Sequence, residues 1–250
     1  MKHLLTIATA CCLLFAGACG DDDSGNGSTT STSGSAETGT ALPQGSDPVK
    51  LDPADFTTEI DNPYWPISKG KRWVYRSTEE RIVVTRTNRQ KTVAGVKAVV
   101  LTDVVTRPDS GDYVEVTADW YAQDSDGNVW YLGEDTKEYE NGKVASTKGS
   151  WEHGVNGAYA GIIVPANPRP GMTYRQEYYK GEAEDQAKVL RLDAKVTVPF
   201  GTFENCLETE DTTPLEPDVV EKKYYAKGIG NVLRTTAEGG GREELVSFTK

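Results

Sequence analysis

The strongest constraint on the fold is a period of two in the apolar residues of the chain. From Leu190 to Val198 every second residue is apolar, and the residues between them are Arg, Asp, Lys and Thr. Val114 to Trp120 alternate with polar residues in the same way. Such a period places alternate side chains on opposite faces of a strand. Both segments therefore predict strands with one buried apolar face and one polar face in water.

Turn sequences separate these strands. Residues 109–112, 126–128 and 140–143 each contain Gly beside Asp or Asn. Asn-Gly and Asp-Gly favour the tight hairpin turns that match the twist of paired strands. No long segment has a convincing helical period of apolar residues. The sequence therefore predicts an all-β chain of antiparallel meanders with little helix.

The body carries two similar series of motifs. Trp120–Ala122 resembles Tyr224–Ala226, and each is followed shortly by Gly-Asn-Val. Gly70 precedes Tyr121 by 51 residues in the first series, and Gly171 precedes Tyr225 by 54 residues in the second. Matched motifs in the same order at near-equal spacing are typical of a duplicated unit. We predict two meander-like repeats, at about 62–148 and 166–250.

The N-terminus has the organisation of a secretory signal peptide. Lys2 precedes the apolar segment 4–18, which is shorter than the roughly 20 residues needed to span a bilayer. Small residues then lead directly to Cys19. This arrangement resembles the lipobox of bacterial lipoproteins, in which the Cys is diacylated and becomes the first residue of the mature chain. The resemblance implies a signal peptide at 1–18 and an extracytoplasmic protein held on the membrane or envelope through Cys19.

The segment after Cys19 differs in composition from the rest of the chain. Of the 30 residues from Gly20 to Val49, 17 are Gly, Ser or Thr. A segment with so little apolar surface cannot offset the entropy lost on ordering. We therefore predict a flexible tether at 19–51, followed by a β domain at 52–250.

Charge and cysteine content exclude several classes of protein. Residues 1–18 contain Lys2 and no acid, so the mature chain has 38 acids against 26 bases. That balance argues against nucleic acid as a partner, because a phosphate backbone requires basic surface. Cys206 is the one Cys of the body, so the body has no internal disulfide. It matches Val100 in the first repeat and is predicted to pack as a small core residue.

Few residues indicate catalysis or a cofactor. His153 is the one His of the body, no Gly-x-Ser-x-Gly motif is present, and no cofactor is predicted. Asp124, Asp126 and Asn128 have the acidic spacing of a calcium loop, but the following residues are those of a strand, which favours a hairpin turn over a weak calcium site. Two acidic clusters leave open a pair of carboxylates that hydrolyses glycosides. Their members are Glu134, Asp135 and Glu138 in the first cluster and Glu182, Glu184 and Asp185 in the second.

Aromatic residues provide the candidate ligand site. Adjacent pairs such as Trp120 with Tyr121 place one ring on each face of a strand, which fits either ordinary sheet packing or an aromatic groove. The Gly- and Pro-rich segment 149–171 joins the two repeats and is expected at the rim of any cavity. The candidate ligand-binding residues are Trp120, Trp130, Trp151, Tyr159 and Tyr224.

Two short motifs suggest a fold family. The Tyr-Ala-x-Gly-x-Gly-x-Val sequence at 225–232 and the Val-Pro-x-Gly-x-Phe sequence at 198–203 resemble elements of uncharacterised bacterial, actinobacterial-type envelope lipoproteins. Those are similar to lipoprotein carriers, which implies a curved antiparallel sheet (a half-barrel or open barrel). The leading hypothesis is a non-enzymatic anchored protein that binds an apolar or amphiphilic ligand, or an envelope partner. A carboxylate-based hydrolase or carbohydrate-active enzyme and a purely structural surface protein remain the alternatives.

Overall fold

The computed structural model describes residues 42–68, 71–236 and 241–249. Within these ranges the chain forms strands and one short 3-10 helix, η1 (Pro53–Asp55), so the predicted all-β class is confirmed. The strands of the first half are β1 (Phe56–Thr57), β2 (Arg72–Arg76), β3 (Arg81–Val93), β4 (Val96–Thr106), β5 (Tyr113–Asp124), β6 (Val129–Glu140), β7 (Lys143–Ser146) and β8 (Trp151–Glu152). Those of the second half are β9 (Tyr159–Val164), β10 (Thr173–Arg175), β11 (Glu177–Tyr178), β12 (Gln186–Val198), β13 (Gly201–Thr212), β14 (Val220–Ala226), β15 (Gly230–Thr236) and β16 (Arg242–Thr249). No helix in this part of the chain has the length and apolar character that a membrane crossing requires. The predicted signal peptide, Cys19 and residues 19–41 of the predicted tether lie outside the described residues.

All the described strands join one antiparallel sheet. The order along it is β10-β12-β13-β14-β15-β16-β2-β3-β4-β5-β6-β9-β11, with β1 added to β5 and with β7 and β8 added to β6. Two meanders follow from this order, a first of β2 to β6 and a second of β12 to β16. They join where β16 pairs with β2, with Phe248 opposite Trp73.

A β-bulge lies at a corresponding point of each meander. In the first, the register between β5 and β6 shifts between Trp120 and Tyr121, whose partners are Gly133 and Tyr131. In the second, the register between β14 and β15 shifts between Tyr224 and Tyr225, whose partners are Leu233 and Asn231. Each bulge inserts one extra residue and increases the local twist of the strands.

Bulges also change the alternation predicted for 190–198. Ala194, Val196 and Val198 are buried at every second position, as expected. Register shifts precede Ala194, and before them Val189 is buried while Leu190 is only half-buried. Leu190 therefore does not lie on the same buried face as Val198. The reason is that an extra residue in a bulge shifts the following side chains to the other face of the strand.

The two ends of the sheet meet. β10 ends at Arg175 and β11 begins at Glu177, although these strands lie at opposite ends of the strand order. Arg175 also reaches β9, where its Nη2 donates a hydrogen bond to the carbonyl oxygen of Ala160 at 2.8 Å. Gly161 permits this approach, since a Cβ there would lie 2.4 Å from the carbonyl oxygen of Arg175. The sheet therefore curves around and encloses one of its own faces, which we call the concave face.

Aromatic rings fill part of the enclosed space. Trp65 stacks on Trp73 at 5.8 Å between ring centroids, and it makes edge contacts with Tyr121 at 6.5 Å and Tyr225 at 6.1 Å. These rings come from both meanders, so their packing holds the two halves of the curved sheet together. Cys206 is fully buried opposite Ala194, and burial raises the pKa of its thiol to about 11.

The last ten residues of the predicted tether pack on the sheet. Arg175 Nη1 donates to the carbonyl oxygens of Gly45 at 2.8 Å and Asp47 at 2.7 Å, and the Arg175 amide donates to Pro43. Leu51 is buried in the core. These apolar and backbone contacts offset the ordering entropy of residues 42–51.

Candidate functional site

The polar face of β5 points into the enclosed space, opposite to the prediction that it lies in water. Glu115 and Thr117 are only 5% and 4% exposed, whereas Val116 on the other face is half-buried. Tyr121 lies on the same face as Glu115 and Thr117, and its ring contacts the Trp65 ring inside the enclosed space. The predicted alternation is present, but its direction was wrong, because a period of two does not say which face the sheet encloses.

Carboxyl side chains from four strands, β4, β5, β6 and β11, lie near enough to one another on the concave face to raise one another's pKa. Asp119 on β5 lies directly opposite Glu134 on β6. Asp103 on β4 pairs with Thr117, and Glu177 on β11 is near enough to raise the pKa of Glu134. Asp103 and Asp119 are half-buried, whereas Glu115, Glu134 and Glu177 are at most 5% exposed. We call the five residues Asp103, Glu115, Asp119, Glu134 and Glu177 the carboxylate cluster.

Neutral donors hold two members of the cluster. The Tyr131 hydroxyl donates to Asp119 Oδ1 at 2.7 Å, and Trp151 Nε1 donates to Glu177 Oε2 at 2.8 Å. The Tyr131 and Trp151 rings themselves pack edge to face at 5.3 Å. Trp151 reaches this position because β8 pairs with β6 at Glu134. The site therefore combines carboxyl groups with the faces and edges of aromatic rings.

Two threonines link two further members of the cluster. Thr117 Oγ1 donates to Glu115 Oε1 at 3.0 Å, and Thr136 Oγ1 donates to Glu134 Oε2 at 3.1 Å. The two hydroxyl oxygens are themselves 2.9 Å apart. A continuous chain of polar contacts therefore runs between Glu115 and Glu134.

Burial raises the pKa of every member of the cluster, and the charges of neighbouring carboxylates raise it further for all members except Asp119. Burial is the largest cause for every member, and it raises the pKa of Glu115 to about 7 and that of Asp119 to about 6. The pKa of Glu134 lies well above its usual value because of burial and the charges of Glu177 and Asp119. Burial and the charge of Asp185 raise the pKa of Glu177. Burial and the charge of Asp119 raise the pKa of Asp103. At neutral pH the cluster therefore holds protons that ordinary carboxyl groups would have lost.

A pair of bases occupies the corresponding point of the second meander. Lys223 on β14 lies opposite Arg234 on β15. Lys223 Nζ forms an ion pair with Asp211 Oδ2 at 2.8 Å, and Arg234 forms one with Glu243. Burial acts to lower the pKa of Lys223, but Asp211, Tyr225 and Glu221 together outweigh it and the pKa is raised. The charge of Lys223 also lowers the pKa of Glu177, so charges in the two halves of the concave face influence each other.

In the described part of the chain, the aromatic residues predicted to bind a ligand lie at several separate places. Trp120 lies on the opposite face of β5 from Tyr121, and Lys91 Nζ sits 3.5 Å from its ring centroid in a groove of about 550 Å³ that Trp151 and Glu134 also line. Trp130 lines a separate cavity of about 430 Å³ beneath residues 42–56. Tyr159 stacks on Tyr178 at 6.0 Å. Tyr224 reaches Glu208 with a hydroxyl contact of 3.3 Å.

The candidate calcium loop is a hairpin turn that uses its own oxygens. Asp124 Oδ1 accepts from the Asn128 amide at 2.8 Å, and Oδ2 accepts from Asn128 Nδ2 and from Trp130 Nε1. Asp126 lines the cavity beside Trp130. Among the described residues, no three His, Cys, Asp or Glu side chains are grouped so that they could hold a metal ion. His153 is buried, and its Nδ1 accepts from the Ala160 amide at 3.1 Å, so it serves the packing of β9.

One member of the carboxylate cluster, Glu134, is among the acidic residues that the sequence pattern indicated. The alternating pattern predicts that Glu115 and Asp119 lie on a face in water, and it does not indicate Asp103 or Glu177. The signal that was present is the run of Glu115, Thr117 and Asp119 at alternate positions.

The chain has a distant structural neighbour. A crystal structure of a protein from Parabacteroides distasonis, named a "putative lipoprotein", has a TM-score of 0.41 and 13% sequence identity, and the match covers 74% of this chain and 98% of that one. No protein-family model and no curated protein matches the chain.

Proposed function

We propose that this protein is an extracytoplasmic lipoprotein, anchored through Cys19, that binds a small amphiphilic ligand on its concave face and catalyses no reaction. The anchor is supported by the small residues that lead to Cys19 after the apolar segment 4–18. A second acyl chain on that Cys would give the stable attachment that one chain alone does not.

One observation supports the ligand more than any other. The concave face carries an aromatic layer around Trp65 and, beside it, the carboxylate cluster. Tyr121 belongs to the first layer, and Asp119, two residues away on the same strand face, belongs to the second. A ligand with one apolar and one polar part matches both layers, because each part meets groups of its own kind.

The carboxylates also favour a second candidate, a glycoside hydrolase. Asp119 and Glu134 lie directly opposite each other on neighbouring strands, where Cβ atoms are about 5 Å apart. Paired carboxyl groups at short separation are the arrangement of retaining enzymes, in which one acts as acid and the other as nucleophile. Turnover of 4-nitrophenyl glycosides that is lost in Asp119→Asn would establish this function in place of simple binding.

Two experiments test the leading proposal. Cys19→Ala should move the protein from the membrane fraction to the soluble fraction, whereas Cys206→Ala should leave it on the membrane. Retention of the Cys19→Ala variant in high salt would overturn the anchor. Native mass spectrometry of the same full-length variant, purified without detergent, should then show an added small-molecule mass, and its consistent absence would count against the ligand.

A further inference from the structure

The polar chain between Glu115 and Glu134 contains more contacts than its hydroxyl groups have protons. Three oxygen–oxygen contacts of 3.0, 2.9 and 3.1 Å join Glu115 Oε1, Thr117 Oγ1, Thr136 Oγ1 and Glu134 Oε2. Each hydrogen bond needs one proton, and the two threonines supply two. All three contacts are hydrogen bonds only if one of the two carboxyl groups carries the third proton.

That proton has two equivalent places. When Glu134 is protonated, it donates to Thr136, which donates to Thr117, which donates to Glu115. When Glu115 is protonated, both hydroxyl groups turn and the direction reverses. Such a chain holds one proton firmly and can give it up at either end.

A second observation points to a ligand at this cluster. Glu115 is 5% exposed, and its Oε2 has no hydrogen-bond partner among the described residues. A buried carboxylate oxygen without a donor is costly, so the site has an unused acceptor. The Oδ1 oxygen of Asp103 is likewise buried without a hydrogen-bond partner among the described residues. The Tyr131 and Trp151 rings form the aromatic wall of the cluster.

The groups around the chain are mostly acidic. Glu115 faces Asp119 on its own strand, Glu138 on β6 and Glu80 before β3, and Glu134 faces Asp119 and Glu177. The charge of Lys223 lowers the pKa of Glu177, and the charge of Arg234 lowers that of Asp103. Each base also forms an ion pair with a carboxylate, Lys223 with Asp211 and Arg234 with Glu243. An anionic ligand would meet repulsion here, whereas a cation beside aromatic rings is attracted by both the acids and the ring faces.

We propose that the carboxylate cluster binds the positively charged head of an organic ammonium ligand, between Asp119, Glu134 and Glu177, in exchange for the proton of the Glu115–Glu134 chain. This inference rests on the function proposed above and names the charge of its ligand. The exchange balances, because the ammonium ion enters, a carboxyl O–H bond breaks, and the proton leaves to solvent. The net charge of the site stays the same.

The test uses the full-length Cys19→Ala protein and three probes with the same eight-carbon chain. They are octyltrimethylammonium, octanesulfonate and octyl glucoside, titrated calorimetrically below micelle formation. The cationic probe should bind at least tenfold more tightly than the other two. Titration in buffers of different ionisation enthalpy should show up to one proton released per ligand, and affinity should rise up to tenfold from pH 6 to pH 7.

Variants separate the charge from the proton. Glu134→Gln should weaken the cationic probe at least tenfold, whereas Glu140→Gln, at an exposed position on the same strand, should not. Glu115→Gln supplies the third hydrogen permanently through its amide, so it should keep binding and lose proton release. Circular dichroism checks that each variant folds.

The outcomes distinguish the two proposals. If no probe binds, the proposed function itself fails. If all three probes bind equally, the proposed function stands and the ammonium ligand is overturned. Selective binding of the cation without proton release would overturn the exchange.

Discussion

The two meanders build the same bulge and place opposite charges beside it. At the first bulge Asp119 lies opposite Glu134, and at the second Lys223 lies opposite Arg234. Both pairs face the enclosed side of the sheet. Strand pairing and bulge geometry are properties of the backbone, so they tolerate this reversal of charge. That the two meanders arose by duplication remains a prediction.

The two pairs differ in how their charges are balanced. Each base has a carboxylate partner of its own, Asp211 for Lys223 and Glu243 for Arg234. Asp119 is instead held by the neutral hydroxyl of Tyr131. In the second meander, ion pairs with carboxylates neutralise the two like charges. In the first meander, the raised pKa of Asp119 and Glu134 favours their protonated, uncharged forms. The carboxyl groups of the first meander can therefore change their charge near neutral pH.

The largest expected effect comes from breaking the ion pair of the second meander. Asp211→Asn leaves Lys223 buried without its anion and should lower the free energy of unfolding by about 3–5 kcal/mol. Asp119→Asn, in the like-charge pair of the first meander, should be neutral or stabilising at pH 8, because it removes a buried negative charge. Urea denaturation of both variants measures the difference, and equal losses would contradict the comparison.

The bulge of the first meander also depends on a residue that the second does not need. Gly133 has a φ of 139°, and a Cβ there would lie 2.3 Å from the carbonyl oxygen of Trp151. Gly133→Ala should cost about 3–4 kcal/mol, combining backbone strain with overpacking. Gly142→Ala is the control, since Gly142 also has a positive φ but a Cβ there would meet no described atom within 4 Å. Similar losses of stability in the two variants would show that the close approach of β8 does not matter.

Retained protons make stability depend on pH. The pKa of Glu115 is about 7 in the folded protein and about 4.5 when unfolded, so the folded state binds the proton more tightly. Stability from this group is therefore full below pH 4.5 and is lost as pH rises to about 7. Glu115→Gln should recover up to about 3 kcal/mol at pH 8 and almost none at pH 4. Denaturation at both pH values checks this, with Glu140→Gln as control, and an equal gain at both would refute it.

The smallest effect is expected at Cys206. Its thiol is fully buried and its pKa is raised to about 11, so little thiolate forms at neutral pH. Cys206→Val should change the free energy of unfolding by less than about 1.5 kcal/mol, because it nearly conserves volume. Native protein should react with a thiol reagent only at the rate at which it unfolds. Rapid labelling would show that Cys206 is accessible after all.

Local features of the sequence predicted the strands and hairpins well. The alternation before Trp120 marks β5, and the Asp-Gly and Asn-Gly sequences mark the turns at 126–128 and 140–143. These features are encoded over a few residues, so no distant partner is needed to specify them.

The candidate site required the tertiary structure. Glu134 and Glu177 are far apart in the sequence and interact only because β11 closes on β9 and β6. The alternation in β5 gave two faces, but only the curvature of the sheet decided that Glu115 lies inside and Val116 outside. Period and turn type are local properties of the chain, whereas enclosure depends on which strands meet and on which way the whole sheet bends.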